Sequence, residues 1–114
     1  MDENCIFCKL ISGEMPVDKI YEDDEIMAFN DINPQAPRHF LIIPKQHIAR
    51  PRDINEGHEA LVGRVIHKAS ELALKEGMVN GFRLVINDSE EGGQTVSHFH
   101  VHVLGARRML WPPG

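Results

Sequence analysis

At 114 residues the chain is sized for one domain, since domains commonly run to roughly 100–150 residues, and its core must be modest. A composition of 42% hydrophobic and 25% charged residues is that of an ordinary globular protein, and a formal charge of −5 excludes the clustered basic grip of a nucleic-acid or membrane-surface binder. No apolar run approaches the roughly 18 residues of a membrane span, no signal peptide opens the chain, and the two cysteines sit together at Cys5 and Cys8, so a cytoplasmic protein with metal-bound or reduced thiols is expected.

Ile6, Phe7, Leu10 and Ile11 share one face of a short N-terminal helix that Gly13 and Pro16 bring to an end. Strands are expected around Lys19–Tyr21 and over Ile26–Asn30. Asn33-Pro34-Gln35-Ala36-Pro37 is a turn, because two prolines deny the backbone both helix and ladder. His39–Ile43 is a strand rich in β-branched residues, closed by Pro44. A long helix follows, with Asp53 as its cap and Glu56 completing a capping-box-like start. Leu61, Val65, Ala69 and Leu72 recur at helical spacing, and Gly77 supplies the stop. Phe82–Ile86 and His98–Leu104 read as strands joined by a glycine-containing loop. With no repeat or low-complexity tract to divide it, the chain is expected to form a single α+β domain over residues 1–114.

The informative segment is His98-Phe99-His100-Val101-His102-Val103-Leu104. Alternation along a strand puts the three histidines on one face and Phe99, Val101 and Val103 on the core side. Strand geometry spaces the imidazoles about 6.6 Å apart. His-x-His can place two rings on one zinc, but a third lies too far along, so a division of labour between catalysis and ligation is expected. Neutral imidazole suits nucleophilic work, one nitrogen attacking while the other donates its proton to a fixed acceptor. Upstream, Glu91-Gly92-Gly93-Gln94-Thr95 fits either a phosphate cradle of backbone N–H groups or a plain hairpin loop. Its position before the histidines favours the cradle, with Asn87 and Gln94 as amide donors and Thr95 offering a hydroxyl to a leaving group.

With these residues the chain resembles the histidine triad family, and more closely its Hint branch of nucleoside phosphoramidases. The motifs are His98-Phe99-His100-Val101-His102, Gly92-Gly93-Gln94-Thr95-Val96, Asp31-Ile32-Asn33-Pro34-Gln35-Ala36-Pro37 and the terminal Trp111-Pro112-Pro113-Gly114. The resemblance implies a HIT-like α+β fold: an antiparallel sheet, one long helix, a short N-terminal helix, and a sheet continued across a homodimer. It implies that His100 is the nucleophile, forming a covalent nucleotidyl-histidine that water hydrolyses. His102, Asn87, Gly93 and Gln94 would hold the phosphate beside Thr95, and His39 would stand next to the catalytic ring. Asp31 would hold the ribose, or act as a turn-former before Pro34. Ile6, Phe7, Phe29 and Ile32 would sandwich a purine base, or be ordinary core. Trp111 would reach the partner subunit's site. The resemblance also implies a structural zinc on Cys5, Cys8, His47 and His98, with no cofactor needed for catalysis. Two departures stand out: Thr95 replaces a common Ser, and Asn30 stands where a histidine often sits.

The expected reaction is hydrolysis of a purine nucleoside phosphoramidate, AMP or GMP joined to an amine, to the monophosphate. The rival enzyme reading is Fhit-like cleavage of dinucleoside polyphosphates, against which the Trp-Pro-Pro-Gly end counts. A zinc-stabilised nucleotide-binding adaptor is the non-catalytic rival, and retention of all three histidines counts against it.

Overall fold

A computed structural model of the chain describes residues 2–114. Five strands, β1 (Lys19–Glu22), β2 (Ile26–Asn30), β3 (Arg38–Pro44), β4 (Phe82–Val85) and β5 (Val101–Gly105), form one sheet in the order β1-β2-β3-β5-β4. Every neighbouring pair is antiparallel. Helix α1 (Ile6–Ser12) packs on one face and α2 (Glu59–Lys75) on the other. The expected α+β architecture, with one long helix and a short N-terminal one, is therefore present.

Period-two alternation explains the two layers. Ile26, Ala28, Phe40, Ile42, Val101 and Val103 face α2 and meet its Val65, Ala69 and Leu72. Met27, Phe29, Leu41 and Ile43 face α1 and meet Cys5, Phe7 and Cys8. β2 and β3 are covered on both faces, so they read as continuous apolar runs. On the α1 side, His102 of β5 and His98 and His100 just before it stand where β2 and β3 carry core apolar residues.

Three local expectations need correction. β5 begins at Val101, not His98, because the Phe99 N–H leaves the sheet to donate to the Ile48 carbonyl at 2.6 Å. The long helix does not start at Asp53, which lies in a 3-10 turn and pairs with Arg50 at 3.0 Å. Instead Asn55 caps a second 3-10 turn, Glu56–His58, with the His58 ring accepting from the Asn55 N–H, and α2 runs on from Glu59. Between β4 and β5 lies a helical turn, Ser89–Gly92, that glycine content alone did not signal. No helix of the described residues is long and apolar enough to cross a membrane.

Candidate active site

Four imidazoles line up along the α1 side of the sheet, and backbone groups fix the protons on three of them. The Gln35 N–H donates to Nδ1 of His39 at 3.0 Å, so the His39 proton sits on Nε2. That Nε2 lies 3.0 Å from Nδ1 of His102, which must accept, leaving the His102 proton on its own Nε2. Nδ1 of His100 donates to the His98 carbonyl at 2.7 Å, which leaves Nε2 of His100 with a free lone pair. Nε2 of His98 donates to the Pro44 carbonyl at 2.8 Å, so its Nδ1 is likewise unprotonated.

Burial keeps these rings neutral. It pushes His102 down to about 4, helped by His100 and His39 and opposed by Asp31. His98 is also held at about 4, chiefly by burial. His100 and His39 are held below the ordinary histidine value by burial, with Asp31 opposing in both cases. A neutral, buried imidazole with one nitrogen tied to a carbonyl and the other bare is a nucleophile at neutral pH.

His100 and His102, whose ring centroids are 5.0 Å apart, form part of the wall of a cavity of about 680 Å³. Ile6, Phe7, Phe29, Asp31, Ile32 and Thr95 line the same cavity. Phe7 and Phe29 are buried and meet edge to face at 5.5 Å, so they are core and wall at once. Ile6 and Ile32 are exposed at its lip. Asp31 serves as the turn-former, its Oδ1 accepting from the Asn33 N–H at 2.8 Å, while Oδ2 lies 3.4 Å from Nε2 of His39. Leu10, Val17, Leu41 and Val96 also line the cavity, a role that nothing in their sequence pattern marks.

Asn87, Gly93, Gln94 and Trp111 do not line this cavity. Gln94 gives its amide hydrogens to the carbonyls of Ala49 and Val96 at 2.8 and 2.9 Å and accepts from the Ser89 N–H. It therefore braces the loop, and the donors expected to face a phosphate are already used. Gly93 ends the helical turn with φ +85°, and the Asn87 amide points to its carbonyl. Trp111 is 82% exposed, and the Leu110 carbonyl before it accepts from Arg83 of β4.

Farther along the same face, Cys5, Cys8, His47 and His98 bring one ligand atom each to within 4.8 Å of one another. Nδ1 of His98 lies 3.4 Å from Cys5 Sγ, 3.7 Å from Cys8 Sγ and 3.1 Å from His47 Nδ1. A tetrahedral zinc with two thiolates and two imidazoles requires ligand separations of about 3.3–3.8 Å, so the residues fit the ion. The Pro44 carbonyl supplies the hydrogen bond that would orient His98 toward such an ion. Phe7 stands between the two groups, its ring centroid 5.9 Å from that of His98 and 5.2 Å from that of His100.

Residues 4–111 match the family described as scavenger mRNA decapping enzyme C-term binding. A HIT-like protein of Synechococcus elongatus is 48% identical over 114 residues, all of both chains. The crystal structure of a HIT family hydrolase from Legionella pneumophila is 50% identical, covers 97% of this chain and all of that one, and superposes with a TM-score of 0.95. A HIT family hydrolase from Clostridium thermocellum is 43% identical, with 96% of each chain covered and a TM-score of 0.93.

Proposed function

Because this chain belongs to the histidine triad family of hydrolases, we propose that it hydrolyses purine nucleoside phosphoramidates to the nucleoside monophosphate and a free amine, as the Hint branch does. The observation that carries this reading is the bare Nε2 of His100 in the wall of a cavity that also contains His102, Asp31 and two aromatic rings.

The Nε2 lone pair of His100 attacks the α-phosphorus as the P–N bond breaks, and the amine leaves with a proton taken from solvent, which the attacking water returns in the second step. The His98 carbonyl, already bound to Nδ1–H, stabilises the positive charge that the ring acquires. Nε2–H of His102 donates to a non-bridging oxygen, and Thr95 offers its hydroxyl to the leaving group. Water then cleaves the Nε2–P bond and restores the free ring. Asp31 holds the ribose, and the base lies between Ile6, Phe7, Phe29 and Ile32. Zinc, when bound by Cys5, Cys8, His47 and His98, supplies a closed structural crosslink. Residues 1–114 act as one HIT domain in the cytoplasm, paired in a homodimer that continues the sheet.

A second reading, cleavage of a dinucleoside polyphosphate, is favoured by one finding, the match to a decapping-enzyme family. Matched assays of an adenosine phosphoramidate and a diadenosine polyphosphate, both read by AMP release, separate the two. His100→Ala should lower turnover of the preferred substrate by several orders of magnitude, and mass spectrometry near neutral pH should find the nucleotide adduct only in the parent. Near-normal turnover by His100→Ala would sink the nucleophile assignment.

A further inference from the structure

Six polar side chains line the cavity: Asp18, Asn30, Asp31, Thr95, His100 and His102. The phosphate chemistry takes up His100, His102 and Thr95, and the ribose takes up Asp31. Asp18 and Asn30 remain, and nothing else polar in that lining is left to meet a base. They are joined twice, the Asn30 N–H donating to the Asp18 carbonyl at 3.1 Å and Nδ2 of Asn30 donating to Oδ2 of Asp18 at 2.9 Å. Asn30 thereby orients the carboxylate. Among the described residues, no Lys, Arg or His lies within ion-pair distance of Asp18. The cavity lining contains no Lys or Arg either.

An ionised carboxylate only accepts hydrogen bonds, and each oxygen has room for more than the one bond Asn30 gives. The ligand edge that suits it is one with two adjacent donors, which a carboxylate can take in a paired geometry. Guanine has such an edge in N1–H and the 2-amino group. Adenine presents a single amino donor beside the N1 lone pair, which a carboxylate repels. We propose that Asp18, oriented by Asn30, reads the base edge and makes this site prefer guanine to adenine nucleotides. The proposal rests on the nucleotide-hydrolase reading and assigns its substrate class.

The test is isothermal titration of the intact protein with GMP, IMP and AMP, repeated for Asp18→Asn, alongside turnover of matched guanosine and adenosine phosphoramidates. One charge-assisted hydrogen bond at an exposed position predicts a Kd for GMP about tenfold below that for AMP. IMP, which keeps N1–H and lacks the 2-amino group, should fall between them, an arm that needs no variant. Asp18→Asn should bring GMP and AMP to within about twofold of each other, since an amide offers one donor and one acceptor to either base. Equal affinities in the parent, or an unchanged ratio in Asp18→Asn, would overturn base reading by Asp18. If that happens while both phosphoramidates are hydrolysed through His100, the nucleotide-hydrolase reading survives. If no nucleotide binds, both fall.

Discussion

Nε2 of His39 lies 3.0 Å from Nδ1 of His102, and the proton between them belongs to His39, because the Gln35 N–H occupies its other nitrogen. His39 thus decides which nitrogen of His102 faces the cavity with a proton. His39→Ala should lower kcat about 10–100-fold, the usual size of losing a partner that orients a functional imidazole, with KM little changed. It should also move the acid limb of the rate profile upward, since His39 helps to hold His102 down. His39→Gln, which can still donate, should recover part of kcat. A fall in kcat with no movement of the acid limb would reduce His39 to packing.

The depressed histidines give stability a direction in pH. An unfolded histidine titrates near 6.5, whereas folded His102 titrates at about 4. Between those values the unfolded chain binds more protons, so stability is full above about 6.5 and is lost as pH falls towards 4. Urea unfolding at pH 7.5, 5.5 and 4.5 should give steadily lower midpoints. A flat series would contradict buried neutral rings.

Metal analysis of protein purified without chelator should find close to one zinc per chain in the parent and little in Cys5→Ser. Apparent zinc binding in small structural sites is worth roughly 10–16 kcal/mol, against domain stabilities of about 5–15. Loss of the ion should therefore lower the melting temperature strongly and loosen α1, which contributes Phe7 to the cavity. A metal-free parent whose melting point ignores added zinc would return Cys5 and Cys8 to buried thiols.

Ala106 follows β5 with φ +67°, in the left-handed region that costs a residue with a Cβ. Its side chain is an exposed methyl. Ala106→Gly should therefore stabilise the fold, by about 0.5–1 kcal/mol once the added freedom of the unfolded chain is subtracted. Thermal melts should show a rise of a few degrees; a fall would mean that the turn is not held in this conformation in solution.

Trp111 does not line the cavity of its own chain, so in a homodimer it is available to the neighbouring site. Truncation after Leu110 should alter selectivity among amine leaving groups while sedimentation still reports a dimer. Unchanged selectivity would remove Trp111 from that role.

The sheet and the histidine face were legible because alternation is a local signal: β2 runs over Ile26–Asn30 as expected, and Phe99, Val101 and Val103 enter the core. The start of α2 was not, because Asn55 and His58 form a capping box that competes with the more familiar Asp53–Glu56 spacing. The surroundings of Gln94 were hidden for a different reason. Its partners Ala49 and Val96 meet it only when distant loops come together, and an amide reads the same in sequence whether it faces a ligand or a carbonyl. The grouping of Cys5 and Cys8 with His47 and His98 came from resemblance, since 39 to 93 residues separate the contacting pairs.

Phe7 sets its ring against both His98 and His100. A substitution there that reshapes the cavity also disturbs the imidazole that shares in the Cys/His cluster. Drift at position 7 is thereby restricted to side chains that satisfy two neighbours at once, so a change that reshapes the cavity is also felt at the Cys5, Cys8, His47 and His98 cluster.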